Sequence, residues 1–397
     1  LQSLAAGAEE LFPDENEVET EDDQSIGYSD DGLWMYNDYG DGTVSVSCQD
    51  STITEAEVPS EINGRTITMI EVDCFIDNAD LETVKLPSTI TEIEDYAFYN
   101  CTGLKNISLP NGVKSIGWES FYNCSSLTEI TIPASVELID QFAFEGCTSL
   151  QAVNVSDANR YYKDEDGILF DYDGTTLILY PSEQEGTEYT VPEGCTRVED
   201  YAFIGATKLE SINIDGISEL GEDAFYYCTS LQSISVPEGI ELLDGSVFGN
   251  CTSLKSVTLP STLTQIGASC FYNCVALESI NIPDSLTTID NYAFFNCASL
   301  TSLTLTANVT YLGDYCLGYY YSDDDELKRL PDFTVDTDNG TAAFTYAAEH
   351  SLKCTGGITQ GIVFIYILVA IIALVIICTI VIILVQKHIH KRYYELK

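Results

Sequence analysis

The chain has 397 residues, 45% of them hydrophobic, with 63 acidic against 16 basic side chains and a formal net charge of -47. That apolar share is enough for a sizeable core. The acid surplus repels nucleic acid and anionic lipid, leaving solubility, or basic and divalent-cation partners, as its uses.

The first 64 residues hold 17 acidic and no basic side chains. Residues 1–32 read as an acidic disordered segment, because the stretch 9–31 has few apolar residues and no period with which to bury them. Within residues 1–8, Leu4-Ala5-Ala6-Gly7-Ala8 has the form of the small-residue end of a secretory signal, or of an ordinary fragment end. Order is expected from residue 33, with Leu33, Trp34 and Tyr36 pairing with Thr43, Val44 and Val46 around Gly40-Asp41-Gly42 as a capping hairpin.

A repeat follows. Anchors fall at Phe75, Phe98, Phe121, Phe144, Phe203, Phe225, Phe248, Phe271, Phe294 and Leu317, in steps of 22 or 23 apart from one step of 59. A unit of this length cannot bury its apolar side chains alone, so the coils must stack into a solenoid with a continuous core. Ile107 and Leu109 share one face of a short strand that Pro110 ends, and Val113 and Ile116 return to the core on the far side. The pair Ala97-Phe98 fills the broad edge in the manner of a short helical turn. Ten coils at strand spacing would extend roughly 45 to 50 Å. Within the long step, at about 155–190, Gly167 to Pro181 reads as a hairpin insertion turning at Asp173-Gly174.

The phrase Ala143-Phe144-Glu145-Gly146-Cys147-Thr148-Ser149-Leu150 resembles the BspA-type leucine-rich repeat of bacterial and protist cell surfaces, over about residues 36–353. Asn63-Gly64-Arg65-Thr66-Ile67 resembles that family's opening coil, and residues 340–352 its closing helical cap, placed here within 318–353. The resemblance implies an α/β solenoid of about 23-residue coils with a parallel strand ladder and a short helical cap. It also implies adhesion or host-surface binding.

Beyond a linker at 354–361, residues 362–385 are free of charge and proline, and as a helix would span roughly 36 Å, enough to cross a bilayer once. Lys387, Lys391 and Arg392 follow directly, so the positive-inside rule places the tail 386–397 in the cytoplasm and the repeats outside. That tail carries four basic residues and one acidic, leaving 12 basic against 62 acidic before it. Its Tyr393-Tyr394-Glu395-Leu396 has the form of an endocytic sorting signal read at Tyr393 and Leu396, or is part of a basic stop-transfer stretch.

Seven cysteines (Cys101, Cys124, Cys147, Cys228, Cys251, Cys274 and Cys297) fill one repeat slot, which elsewhere holds Ala79 or Ala206. A slot that accepts alanine wants a small apolar filler, so free buried thiols are expected there. Cys74, Cys270 and Cys316 share a second such slot, while Cys48, Cys195 and Cys354 are the better disulfide candidates.

Parts for catalysis are missing. His350 is the single histidine ahead of residue 362, and no phosphate loop, dinucleotide fingerprint or zinc signature occurs, so no enzyme activity, cofactor or metal is expected. Asp164-Glu165-Asp166-Gly167, Asp171-Tyr172-Asp173-Gly174 and Asp336-Thr337-Asp338-Asn339-Gly340 open like calcium loops, but none supplies the closing glutamate. Hairpin turns explain them.

Two surfaces remain. The outward positions Ser108, Thr131, Asn154, Asn213, Ser235, Thr258, Asn281 and Thr304 form a ladder of small polar groups, either bridging between strands or offering a broad face to a protein or glycan. The positions Tyr99, Tyr122, Tyr226, Tyr272 and Phe295 form an aromatic edge, exposed for a partner or for lateral self-association, or else stacked between coils. Asn308 and Asn339 are the candidate glycosylation sites. The expectation is a cell-surface recognition protein, with an uptake or signalling receptor and a structural coat component as alternatives.

Overall fold

The computed structural model describes residues 25–140 and 142–355. The expected signal remnant, most of the expected disordered segment, the membrane span and the tail motif therefore lie outside the described residues, among which no helix is long and apolar enough to cross a membrane. Two compact units are present, one holding residues up to 124 with 135–144, the other 125–134 with residues from 145 onward.

In the first unit, Trp34–Asp38 pairs antiparallel with Thr43–Cys48, placing Tyr36 opposite Val46 as expected of the hairpin. Order begins earlier than residue 33, because Ser25–Tyr28 adds a third antiparallel strand against Trp34–Asp38. Gly27 makes this possible, since a Cβ there would overlap the Tyr36 ring. Thr43–Cys48 then runs parallel to Arg65–Ile70, which starts a ladder through Glu92–Ile93, Ser115–Ile116 and Leu138–Ile139. A second parallel ladder joins Glu55–Glu57, Thr83–Lys85 and Asn106–Ser108.

The second unit repeats the scheme. One ladder runs Glu188–Thr190, Ser211–Asn213, Ser233–Ser235, Ser256–Thr258 and Ser279–Ile280, and the other Leu242–Leu243, Gln265–Ile266, Thr288–Ile289 and Tyr311–Leu312. Between the ladders each coil closes through a turn at its anchor. That turn stays short of a helix because it contains residues at positive φ, such as Asp223 and Tyr227 or Ser269 and Asn273. The expected α/β solenoid is thus a β-solenoid whose one helix among the described residues is Ala342–Glu349, capped by the Thr341 hydroxyl accepting from the Phe344 amide at 3.1 Å.

The anchors form the core. In the second unit Phe203, Phe225, Phe248, Phe271 and Phe294 stack nearly parallel, with centroids 4.8 to 5.5 Å apart. Tyr180, 23 residues before Phe203, heads this column at 4.9 Å and is buried. Its own segment lacks the Ala-Phe phrase, so the repeat pattern does not mark it as an anchor. The insertion that delivers it is a three-stranded meander, Tyr162–Glu165, Ile168–Asp171 and Thr176–Leu179, of which the last strand rejoins the ladder beside Arg197–Val198. The Asp171 carboxylate accepts the Thr175 and Thr176 amides, so this calcium-like stretch is a hairpin turn.

A two-coil alternation lies within the 23-residue period. The residue after the second ladder is Glu199, Gly221, Asp244, Gly267, Asp290 and Gly313 in turn, and each glycine amide bonds to a carbonyl of the preceding coil. At Gly221 or Gly313 a Cβ would overlap the backbone nitrogen of Asp200 or Asn291, so only glycine lets the coils close up there.

Candidate functional site

Strand pairing places the outward columns in register. Ser211, Ser233, Ser256 and Ser279 are successive partners, and Ser235 stands opposite Thr258. Side chains alternate, so Ile234 and Val257 point into the core while the residues flanking them point out. Of the expected face, Ser108, Thr131, Asn213, Ser235, Thr258, Asn281 and Thr304 are exposed, and Asn154, opposite Thr131, is half-buried. Bridging takes up only part of it. Asn281 uses both ends of its amide on the Leu259 backbone, at 2.8 and 3.0 Å, and Asn213 accepts the Asp215 amide at 2.8 Å. The hydroxyls of Ser235 and Thr258 remain with solvent.

The aromatic edge is a stack. In the first unit Tyr99 and Tyr122 lie parallel at 4.8 Å, and in the second Tyr272 and Phe295 at 5.4 Å. Phe295 is 1% exposed, which removes it from any exposed edge. Tyr226 packs edge-on against Tyr227 at 4.6 Å, over a site where Gly249 leaves room for its ring. The free surface is therefore the outer faces of half-buried rings, ending in Tyr321, which touches Phe295 at 4.9 Å.

Asparagines form another column. Asn273 donates to the Asn250 carbonyl oxygen and Asn296 to that of Asn273, both at 2.7 Å, and all three adopt positive φ. In the first unit Asn123 donates to Asn100, which donates to Asp77. Asn100 and Asn123, which each open an Asn-Cys-Thr or Asn-Cys-Ser sequon, thus have their amide nitrogens occupied, while Asn250, which opens another, accepts through its side-chain oxygen. Asn308 and Asn339 are exposed, although the Asn308 amide donates to the Asp284 carbonyl at 2.8 Å.

The ladder cysteines are buried thiols, and Cys228, Cys251, Cys274 and Cys297 each point Sγ at the anchor carbonyl of the preceding coil. Burial pushes the Cys228 thiol up to about 12. Cys48, Cys195 and Cys354 are free as well, correcting the disulfide expectation. They sit in separate parts of the chain's ladders, and each sulfur faces a local carbonyl, Asp50, Arg197 and Thr355 in turn.

Acidic side chains gather on the turns of successive coils in the second unit. Burial raises the Asp223 carboxyl above the usual range, Asp200 and Asp244 push it the same way, and hydrogen bonds from Tyr201 and Ser246 oppose the shift. Among the described residues no group of three or more His, Cys, Asp or Glu side chains is arranged to hold a metal ion.

The family model for the BspA type leucine-rich repeat region matches in six copies, over residues 68–165, 182–274 and 218–324. The crystal structure of a leucine-rich repeat protein from Eubacterium ventriosum is similar with a TM-score of 0.52 and 22% identity, covering 72% of this chain and 91% of that one. The pneumococcal vaccine antigen PcpA is similar with a TM-score of 0.53 and 18% identity, covering 83% and 98%. At these identities the likeness shows the fold. No curated protein matches the chain at the sequence level.

Proposed function

Because the chain belongs to the BspA-type leucine-rich repeat family, we propose that it is a non-enzymatic surface protein that binds a protein or glycan on host or neighbouring cells. In this reading residues 362–385 cross the membrane, the basic tail stays inside, and the solenoid stands outside. The observation that carries it is the strand face. Exposed hydroxyls in register over consecutive coils form a regular, uncharged strip on a chain that is otherwise strongly acidic. Solenoids use such extended surfaces for binding, and core packing gives these positions no other task.

The test uses cells displaying the full chain on monolayers of candidate host cells. Replacing Ser233, Ser235 and Thr258 together by lysine should lower adhesion at least tenfold while leaving surface display unchanged. Undiminished adhesion would remove the strand face from the reading. Protease or antibody access to residues 100–300 on intact cells tests the topology. A receptor for uptake is distinguished by Tyr393→Ala, which would slow internalisation of bound ligand and leave adhesion untouched.

A further inference from the structure

The cap holds a cleft of about 820 Å³, formed where the strand Leu327–Arg329 and the segment after it meet the end of the helix Ala342–Glu349. This is within the roughly 300–1,000 Å³ of small-ligand sites. Its chemistry departs from the rest of the molecule. Lys328, Arg329, Lys353 and His350 line it, although the chain carries only 12 basic residues ahead of its tail. Lys328 pairs with Glu326 at 3.3 Å and Lys353 with Asp332 at 2.8 Å. Arg329 has no carboxylate within ion-pair distance among the described residues. Its guanidinium donates to the Ser351 carbonyl at 2.7 Å and the His350 carbonyl at 3.4 Å, which fixes its orientation and leaves other N–H groups unused. Beside it stand Tyr315, Tyr319 and Tyr320, with the Tyr319 hydroxyl held 2.9 Å from His350 Nδ1.

We propose that this cleft binds a sugar bearing a single carboxylate, with Arg329 on the carboxylate and the Tyr315 and Tyr320 rings against the apolar face of the pyranose. An oriented guanidinium suits bidentate carboxylate recognition, and tyrosines offer a flat apolar face with a polar edge. Glu349 on the rim and Asp323, Asp324, Asp325 and Glu326 in the adjoining hairpin oppose a second negative charge, so a polyacidic peptide is disfavoured. This deepens the recognition reading by naming a ligand class and a second site.

Calorimetry on the detergent-solubilised full chain would compare a trisaccharide ending in glucuronic acid, its glucose-terminated counterpart and an acidic peptide. Millimolar or tighter binding of the first, at least tenfold weaker binding of the second and weakening with salt are expected. Arg329→Gln should lose at least tenfold. Since Arg329 also ties down the helix end, Tyr320→Ala is the second variant, with severalfold loss and unchanged thermal unfolding. Equal binding of the two sugars, binding of the peptide alone, no binding, or an unaffected Tyr320→Ala would each overturn the site. A wild-type chain that mediates adhesion but binds neither sugar sinks this site alone. A wild-type chain that binds the sugar but mediates no adhesion sinks the broader reading instead.

Discussion

The coils from Tyr180 to Leu317 and the cap at 318–353 belong to one unit and share one core, yet they cover apolar edges by opposite means. In the coils the core slots recur with the same kind of residue, so stacking supplies the contacts and the strand face becomes regular. The cap ends that repetition. A hairpin at Tyr319–Tyr321 and Leu327–Arg329, a strand at Thr334–Asp336, a helix and a last strand at Lys353–Thr355 each differ, and basic and aromatic side chains converge. Repetition builds a surface, and its interruption builds a cleft.

The widest expected separation between the two regions is kinetic. With the Cys228 thiol held up at about 12 and fully buried, its thiolate is about a thousandfold scarcer at pH 8 than that of an ordinary cysteine. Alkylation should label the half-buried Cys354 of the cap while sparing Cys228, Cys251 and Cys274 until denaturant is added. Mass spectrometry of the labelled peptides reads the order, and early labelling of the ladder would show that the coils open readily.

Next comes packing. Phe248 is fully buried, with rings 5.5 Å away on both sides, so Phe248→Ala should cost about 3–5 kcal/mol by denaturant unfolding. Tyr320→Ala in the cap should stay within about 1 kcal/mol. Comparable losses would mean that cap and coils are equally rigid.

A smaller change tests the alternation between coils. A Cβ at Gly267 would meet the Asp244 carbonyl carbon and oxygen at 2.7 and 2.8 Å, so Gly267→Ala should lower stability by about 1–3 kcal/mol. Asp290→Ala, in the equivalent slot of the next coil, should cost less, as thermal unfolding would show.

The smallest effect is on pH dependence. A carboxyl raised on folding, as at Asp223, favours the protonated native state. Its contribution is fully present below the unfolded carboxylate range and is lost as pH rises through the folded value. Asp223→Asn should therefore flatten the fall in stability as pH rises above the ordinary carboxylate range, measured as melting temperature. An unchanged profile would assign the dependence to the other acids of these turns.

Much of the fold is legible in the sequence. The Phe spacing announces itself because it repeats a local pattern, whereas the Asn63–Ile67 opening and the helical cap follow from the resemblance to the family. Tyr180 was legible by its distance of 23 residues from Phe203 but lacked the surrounding phrase. Asn281 and Asn213 looked like free members of a polar face, and only backbone geometry shows their amides turned to Leu259 and Asp215. The cap cleft left no signal, since Tyr315, Arg329 and His350 come from three segments that no period relates.

By itself the sequence determined the coil: which side chains turn inward, where each strand stops and where the stack is interrupted. Those are short-range consequences of alternation, turn residues and the need to bury an apolar edge against a like neighbour. Tertiary structure decided what long-range approach alone can decide. It set the alternating glycines that admit the preceding backbone, the free state of Cys48, Cys195 and Cys354, and the orientation of Arg329 by two carbonyls at the end of a helix.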